Sequence, residues 1–244
     1  MSSLYSPIPL APTRLVPPGP AAPVVYCSDE DLACRCPGDW WTLCPAWQQL
    51  AGGADGVFVS TDPWTLISAS VDFLGQGVAV GSVVNLSAPK PPFRGAGFLY
   101  AVNAVAVAPY QVTLRQIGQA AAVGQPPSLA GGMTGVAFEV RTFTPQILSA
   151  TLDVKHRGGI DENLAVRSSA YLYDPNLNLR QLTVMTVLQR QYANECRENR
   201  GDFALKLRQV EQDLGEAWAR FTARWGNLGQ GEAPHTMGSL RVRR

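Results

Sequence analysis

Hydrophobic spacing along the chain changes character near residue 145. Upstream, short runs rich in Val, Phe, Tyr and Thr occur at 56–59, 64–67, 78–86, 98–107, 110–117 and 136–143, separated by Gly and Pro clusters. In the last run Val136, Phe138 and Val140 alternate with Glu139 and Arg141, the period of a half-buried strand. Phe98, Tyr100 and Val102 alternate with Leu99, Ala101 and Asn103, a pattern covered on both faces. Short strands this closely spaced, with no long helix between them, predict a small antiparallel β-barrel or sandwich over 57–143 rather than a parallel sheet.

Downstream the period becomes helical. Thr144 followed by Pro145 predicts a helix start, a hydroxyl cap with proline at the first position, and Gly158-Gly159 predicts its end. A second helix is expected from Asp174-Pro175 through Leu182, Met185, Tyr192 and Cys196. After Gly201, with Asp202 as cap, Phe203, Leu207, Val210, Leu214, Trp218, Phe221 and Trp225 recur every three or four residues. They form one apolar stripe on a rod of about 35 Å. So broad and aromatic a stripe suits packing between subunits or a filled intramolecular core. Together the expected class is α+β: the β module, then a helical hairpin or bundle over 144–226.

The ends differ from both modules. Seven prolines in residues 1–24 forbid helix and predict an extended arm, either a linker or a strap along a neighbouring subunit. Residues 27–56 read as irregular, with Trp40, Trp41 and Trp47 close together, and complete a first segment, 1–56. Loops at 88–95 and 124–132 are long for a compact barrel. The tail, 227–244, is loose and polar and ends with Arg241, Arg243 and Arg244, cations suited to phosphates or an acidic protein surface.

Composition sharpens the division. Seventeen of 19 prolines lie in residues 1–150, which hold 6 Lys+Arg and 8 Asp+Glu, against 14 and 11 in 151–244. The formal charge of +1 excludes the footprint of a dedicated nucleic-acid reader. No apolar run is long enough to span a bilayer, and residues 1–25 lack the pattern of a secretory signal, so a soluble chain is expected.

Candidate chemistry is sparse. Cys27, Cys34, Cys36 and Cys44 fall within 18 residues, open to free thiols, disulfides or a tetrahedral zinc, although the spacing matches no common ligand pattern. Cys196 reads as a small buried hydrophobe. His156 lies among cations near a helix end and His235 lies in the tail, so neither suits a nucleophile–histidine pair. The run Asp29-Glu30-Asp31 reads as a solvated turn. Neither Gly75-Gln76-Gly77 nor 118–124 completes a phosphate loop. No catalytic set and no cofactor are expected.

The segments Asp174-Pro175, Leu179-Arg180-Gln181-Leu182, Tyr192, Gly201-Asp202-Phe203 and Trp225, with the leading 144–150, resemble the helical module of head-to-tail connector (adaptor) proteins of tailed bacteriophages. The resemblance covers 144–226. A barrel of nearly 90 residues and a proline-rich arm depart from the usual small helical adaptor and fit another neck or tail-completion protein as well. The resemblance implies a virion protein of the neck, assembled in the host cytoplasm. It implies a ring, typically of twelve copies, beneath the portal protein and against the next neck or tail ring, with double-stranded DNA passing non-specifically and no membrane. It also places Arg241, Arg243 and Arg244 at the portal. The alternative, drawn from the three tryptophans, is a carbohydrate- or surface-binding β module on an oligomerising hairpin.

Overall fold

The β run closes on itself. The computed structural model describes residues 24–59, 61–88, 98–106, 110–119, 132–161, 178–197, 202–224 and 239–241. Strands β1 (Gln49–Val59), β2 (Asp62–Ile67), β3 (Val83–Ala88), β4 (Phe98–Ala106), β5 (Gln111–Gln116) and β6 (Met133–Arg141) form a closed barrel in the order β1-β2-β5-β4-β3-β6. Every pairing is antiparallel; β6 closes the barrel by pairing with both β1 and β3. Phe58, Leu66, Val84, Leu86, Val102, Val112, Leu114, Val136, Phe138 and Val140 are buried in one cluster, joined by Phe73 and Val78 from the connection between β2 and β3. Phe73 meets Phe138 at 5.4 Å between ring centres. The barrel centre is therefore packed side chain, and closure leaves no free strand edge.

Two expectations about this region are corrected. The run beginning at Val78 does not start a strand there: β3 begins at Val83, and Val78 plugs the barrel. Residues 27–56 are ordered rather than irregular. They carry helix α1 (Asp29–Arg35), helix α2 (Trp40–Leu43), a 3-10 turn at Ala46–Gln48 and most of β1. Gly52, Gly53 and Gly56 hide β1 from sequence, since glycine is a poor strand former. Gly53 and Gly56 border the register shifts of the strand against β6. At Gly56 a Cβ would stand 2.7 Å from the Val136 carbonyl oxygen and 2.9 Å from Leu66 Cδ1, so no side chain fits.

The helices are α3 (Thr144–Gly158), α4 (Asn178–Arg197) and α5 (Phe203–Arg220). Phe143, not Thr144, is the N-cap of α3, with Pro145 in the first turn, and Gly159 ends it in the left-handed region at φ 68°. The third helix stops short of Trp225. Phe221 turns extended, and β7 (Thr222–Arg224) pairs with β8 (Ser239–Arg241). Helix α4 packs against α5 and α3 and touches α1 and α2, and every residue from Leu182 to Leu188 is buried. Its buried Thr183 and Thr186 hydroxyls donate to the Leu179 and Leu182 carbonyls at 2.8 and 2.7 Å. These helices share a second core with Leu32, Trp40, Phe143 and Val83 of the barrel. The architecture is α+β, as the hydrophobic pattern predicts. No described helix is long and apolar enough to cross a membrane. The proline-rich arm at 1–23, the helix start at 174–175, most of the two long loops, and 225–238 with 242–244 lie outside the described residues.

Candidate functional site

The site is built on three adjacent carboxylates. Ser28 caps α1 with a reciprocal box: its hydroxyl accepts from the Asp31 N–H, and Asp31 accepts from the Ser28 N–H at 2.8 Å. The run 29–31 is thus the first turn of a helix, and the expected solvated turn is corrected. Asp29 and Glu30 are buried. Asp29 accepts from the Phe143 N–H at 2.7 Å, at the junction of β6 and α3. Burial pushes its carboxyl up to about 6, although hydrogen bonds from Phe143 and Thr142 oppose the shift. Glu30 pairs with Arg115 of β5 and accepts from the Gly118 N–H at 3.0 Å. Asp31 pairs with Arg180 of α4. One turn of helix therefore ties barrel to helices at three points. Asp39 adds a fourth tie inside the helical layer, accepting from Tyr192 at 3.0 Å and Lys206 at 2.7 Å. Arg141 of β6 lies 4.0 Å from the Trp41 ring centre and donates to the Cys44 carbonyl at 3.0 Å.

Beside these ties α1, α4 and α5 enclose a groove of about 510 Å³. Val184, Met185 and Ala217 form its apolar side; Asp31, Arg35, Arg180, Asp213, Glu216 and Arg220 form its charged side. The charges are matched within the groove: Arg35 to Asp213 at 2.7 Å, Arg180 to Asp31, and Arg220 to Glu216 at 3.9 Å. Cys34 also lines the groove. Partial burial first, then Glu30 and Asp31, raise its pKa, so the thiol stays protonated at neutral pH. An activated nucleophile needs the opposite shift. The groove offers balanced charge over an apolar floor, chemistry suited to holding a mixed-charge segment.

The residues singled out in the sequence are dispersed. Cys27, Cys36 and Cys44 are buried and burial pushes each thiol up to about 12. Cys36 donates to the Leu32 carbonyl at 3.2 Å and Cys44 to the Thr142 carbonyl at 3.6 Å. All five cysteines are free, and among the described residues no three His, Cys, Asp or Glu side chains are grouped to hold a metal ion. The tryptophans form no shared face: Trp40 is fully buried against Phe143 at 4.7 Å, Trp41 is half-buried under Arg141, and Trp47 is 78% exposed. Phe203, Val210, Leu214, Trp218 and Phe221 are buried and Leu207 half-buried within the one chain. Of the two uses the spacing leaves open, the structure shows the intramolecular one: the stripe is core, packed with α4. Trp225, Arg243 and Arg244 lie outside the described residues; Arg241 sits in β8 opposite Thr222.

Sequence reading missed the groove because Arg35, Arg180 and Asp213 look like ordinary polar positions on separate helices. The signal for α1 was present, since Ser28 with Asp31 three residues on is a capping-box pattern before Leu32. Comparison with protein-family models, with curated proteins and with solved structures finds no match to the chain.

Proposed function

We propose that the chain is a structural subunit of the neck of a tailed bacteriophage. In this reading its copies form a ring beneath the portal, join head to tail and continue the DNA channel, and the work is mechanical rather than catalytic. The observation that carries it is the clamp at α1. Asp29, Glu30 and Asp31 fasten the barrel to the helices through Phe143, Arg115, Gly118 and Arg180. A ring subunit must transmit load without hinging, and a buried, hydrogen-bonded clamp of this kind resists hinging. The helical spacing over 144–226 supplies the family resemblance. Because the α5 stripe is covered within the chain, ring contacts would fall on other surfaces.

The test is assembly. Native mass spectrometry and electron micrographs of the purified protein, alone and with a purified portal, should show a closed ring seated on the portal. A chain that stays monomeric in both conditions would remove the reading.

A further inference from the structure

The two sides of α5 follow different rules. Phe203, Val210, Leu214 and Trp218 are buried on its inner side. On the outer side, within about 60° of a line through Gln212, lie Leu205, Arg208, Gly215, Glu216 and Ala219. All of these but Gly215 are exposed, and Leu205 leaves 75% of its surface in solvent. Gly215 is half-buried, yet a Cβ there would meet nothing within 4 Å. Glycine weakens a helix interior, and no element among the described residues uses the space this one leaves.

The outer face is also complementary to itself when reversed. Arg208 and Glu216 stand equally far before and after Gln212 and carry opposite charge. Leu205 and Ala219 stand equally far out beyond them, a large apolar side chain matched with a small one. Two copies of α5 laid antiparallel and crossing at Gln212 would bring Arg208 of each to Glu216 of the other. Leu205 of each would meet Ala219 of the other, beside the space left at Gly215. A parallel pair in register would set Arg208 against Arg208 and Glu216 against Glu216, which repel. The groups within one chain leave this pairing open: Arg208 pairs with no acid among the described residues, and Arg220 reaches Glu216 only at 3.9 Å. A partner of unrelated sequence would not require the two halves of the face to match. A second copy does, because a two-fold interface presents one patch twice.

We propose that the outer face of α5 is a docking surface for the same face of a second copy of this chain, the two helices antiparallel about a two-fold axis at Gln212. The face from Leu205 to Ala219 is about 21 Å long. That is a contact at the small end of specific interfaces, so dissociation at about 10–100 µM is expected. The inference goes beyond the neck reading: a two-fold contact is closed by two copies and cannot carry a ring round.

Sedimentation velocity of the full chain from about 1 to about 500 µM tests it, and a monomer–dimer equilibrium is expected. Arg208→Glu and Glu216→Arg should each weaken the dimer about tenfold, since each change is felt at two symmetric contacts. The double reversal, Arg208→Glu with Glu216→Arg, should restore it. Leu205→Asp should abolish it. All these positions are exposed, so circular dichroism should match the parent. Cross-linking supplies a second measurement that needs no charge reversal. Gln212→Cys puts a thiol on the two-fold axis, so air oxidation should give a covalent dimer on non-reducing gels. Arg208→Cys, which faces Glu216, should give no more than the parent. A chain monomeric at every concentration, a dimer indifferent to both single reversals, or a double reversal no better than either single would each overturn the proposal. So would cross-linking through position 208 in preference to 212. A dimer that forms no ring with the portal keeps this inference and removes the neck reading; a ring on the portal that the α5 variants leave unchanged, from a chain with no dimer, does the reverse.

Discussion

At the scale of single residues, the least ordinary group is Asp29, a carboxylate buried with one backbone N–H as its close donor. Its pKa is raised to about 6 by burial, above the value an unfolded chain would give it. The native state therefore holds a proton between about pH 4 and 6 that the unfolded state has released, so stability falls as pH rises through that window and then levels. Asp29→Asn keeps an acceptor for Phe143 and removes the ionisation. It should unfold at higher denaturant than the parent at pH 7, by up to about 3 kcal/mol, and converge with it near pH 4. Urea titrations at four pH values decide this; parallel curves for both proteins would show that the pKa of Asp29 is the same in the folded and unfolded states. The nearby thiols of Cys27 and Cys44, both pushed up to about 12, stay neutral across the window and do not confuse the reading. Thr151 is the converse case, a hydroxyl buried in α3 with no partner among the described residues. Thr151→Val replaces that hydroxyl with a methyl of similar volume and should stabilise by about 1 kcal/mol, seen as a higher unfolding midpoint.

At the scale of elements, the apolar stripe of α5 decides how much of the molecule is self-sufficient. Trp218 is buried, meets Phe221 edge-on at 5.6 Å and lies beneath Arg157. Trp218→Ala should cost about 3–5 kcal/mol of monomer stability, while Leu205→Ser, on the exposed side of the same helix, should stay within about 0.5 kcal/mol. Thermal unfolding at several protein concentrations separates the cases. If the stripe were an interface between copies, the Trp218 variant would lose concentration dependence and keep its monomer transition. Sequence reading located this stripe because seven positions at helical spacing leave little ambiguity. It located β4 and β6 because Val, Phe and Tyr alternate there, and β5 because Val112 and Leu114 alternate with polar residues. It missed most of β1, whose Gly52, Gly53 and Gly56 answer to a close approach by β6 that spacing cannot express. It also misjudged Asp29-Glu30-Asp31, because whether a carboxylate is solvated or clamped depends on Arg115 and Arg180, far away in the chain.

At the scale of the whole molecule, the two cores divide the labour: the barrel is filled by its own strands and the β2–β3 connection, and the helices are closed by α1 and by Val83 of the barrel. The hairpin strands β7 and β8 are three residues each. A two-stranded ribbon so short contributes little stability by itself. Removing 232–244 should therefore leave circular dichroism and the unfolding midpoint close to those of the full chain. It should abolish docking to a portal ring, because in the neck reading the arginine-ended tail is the segment that enters the portal and gains order there. Co-sedimentation of full-length and truncated protein with purified portal measures this directly. Retained docking by a truncated chain that is still folded would shift the portal contact to the barrel or the helical face. A truncated chain that fails to fold would mean that the hairpin supports α5 more strongly than its length suggests. Point variants Arg241→Gln and Arg243→Gln, which keep the backbone, would then carry the question of docking.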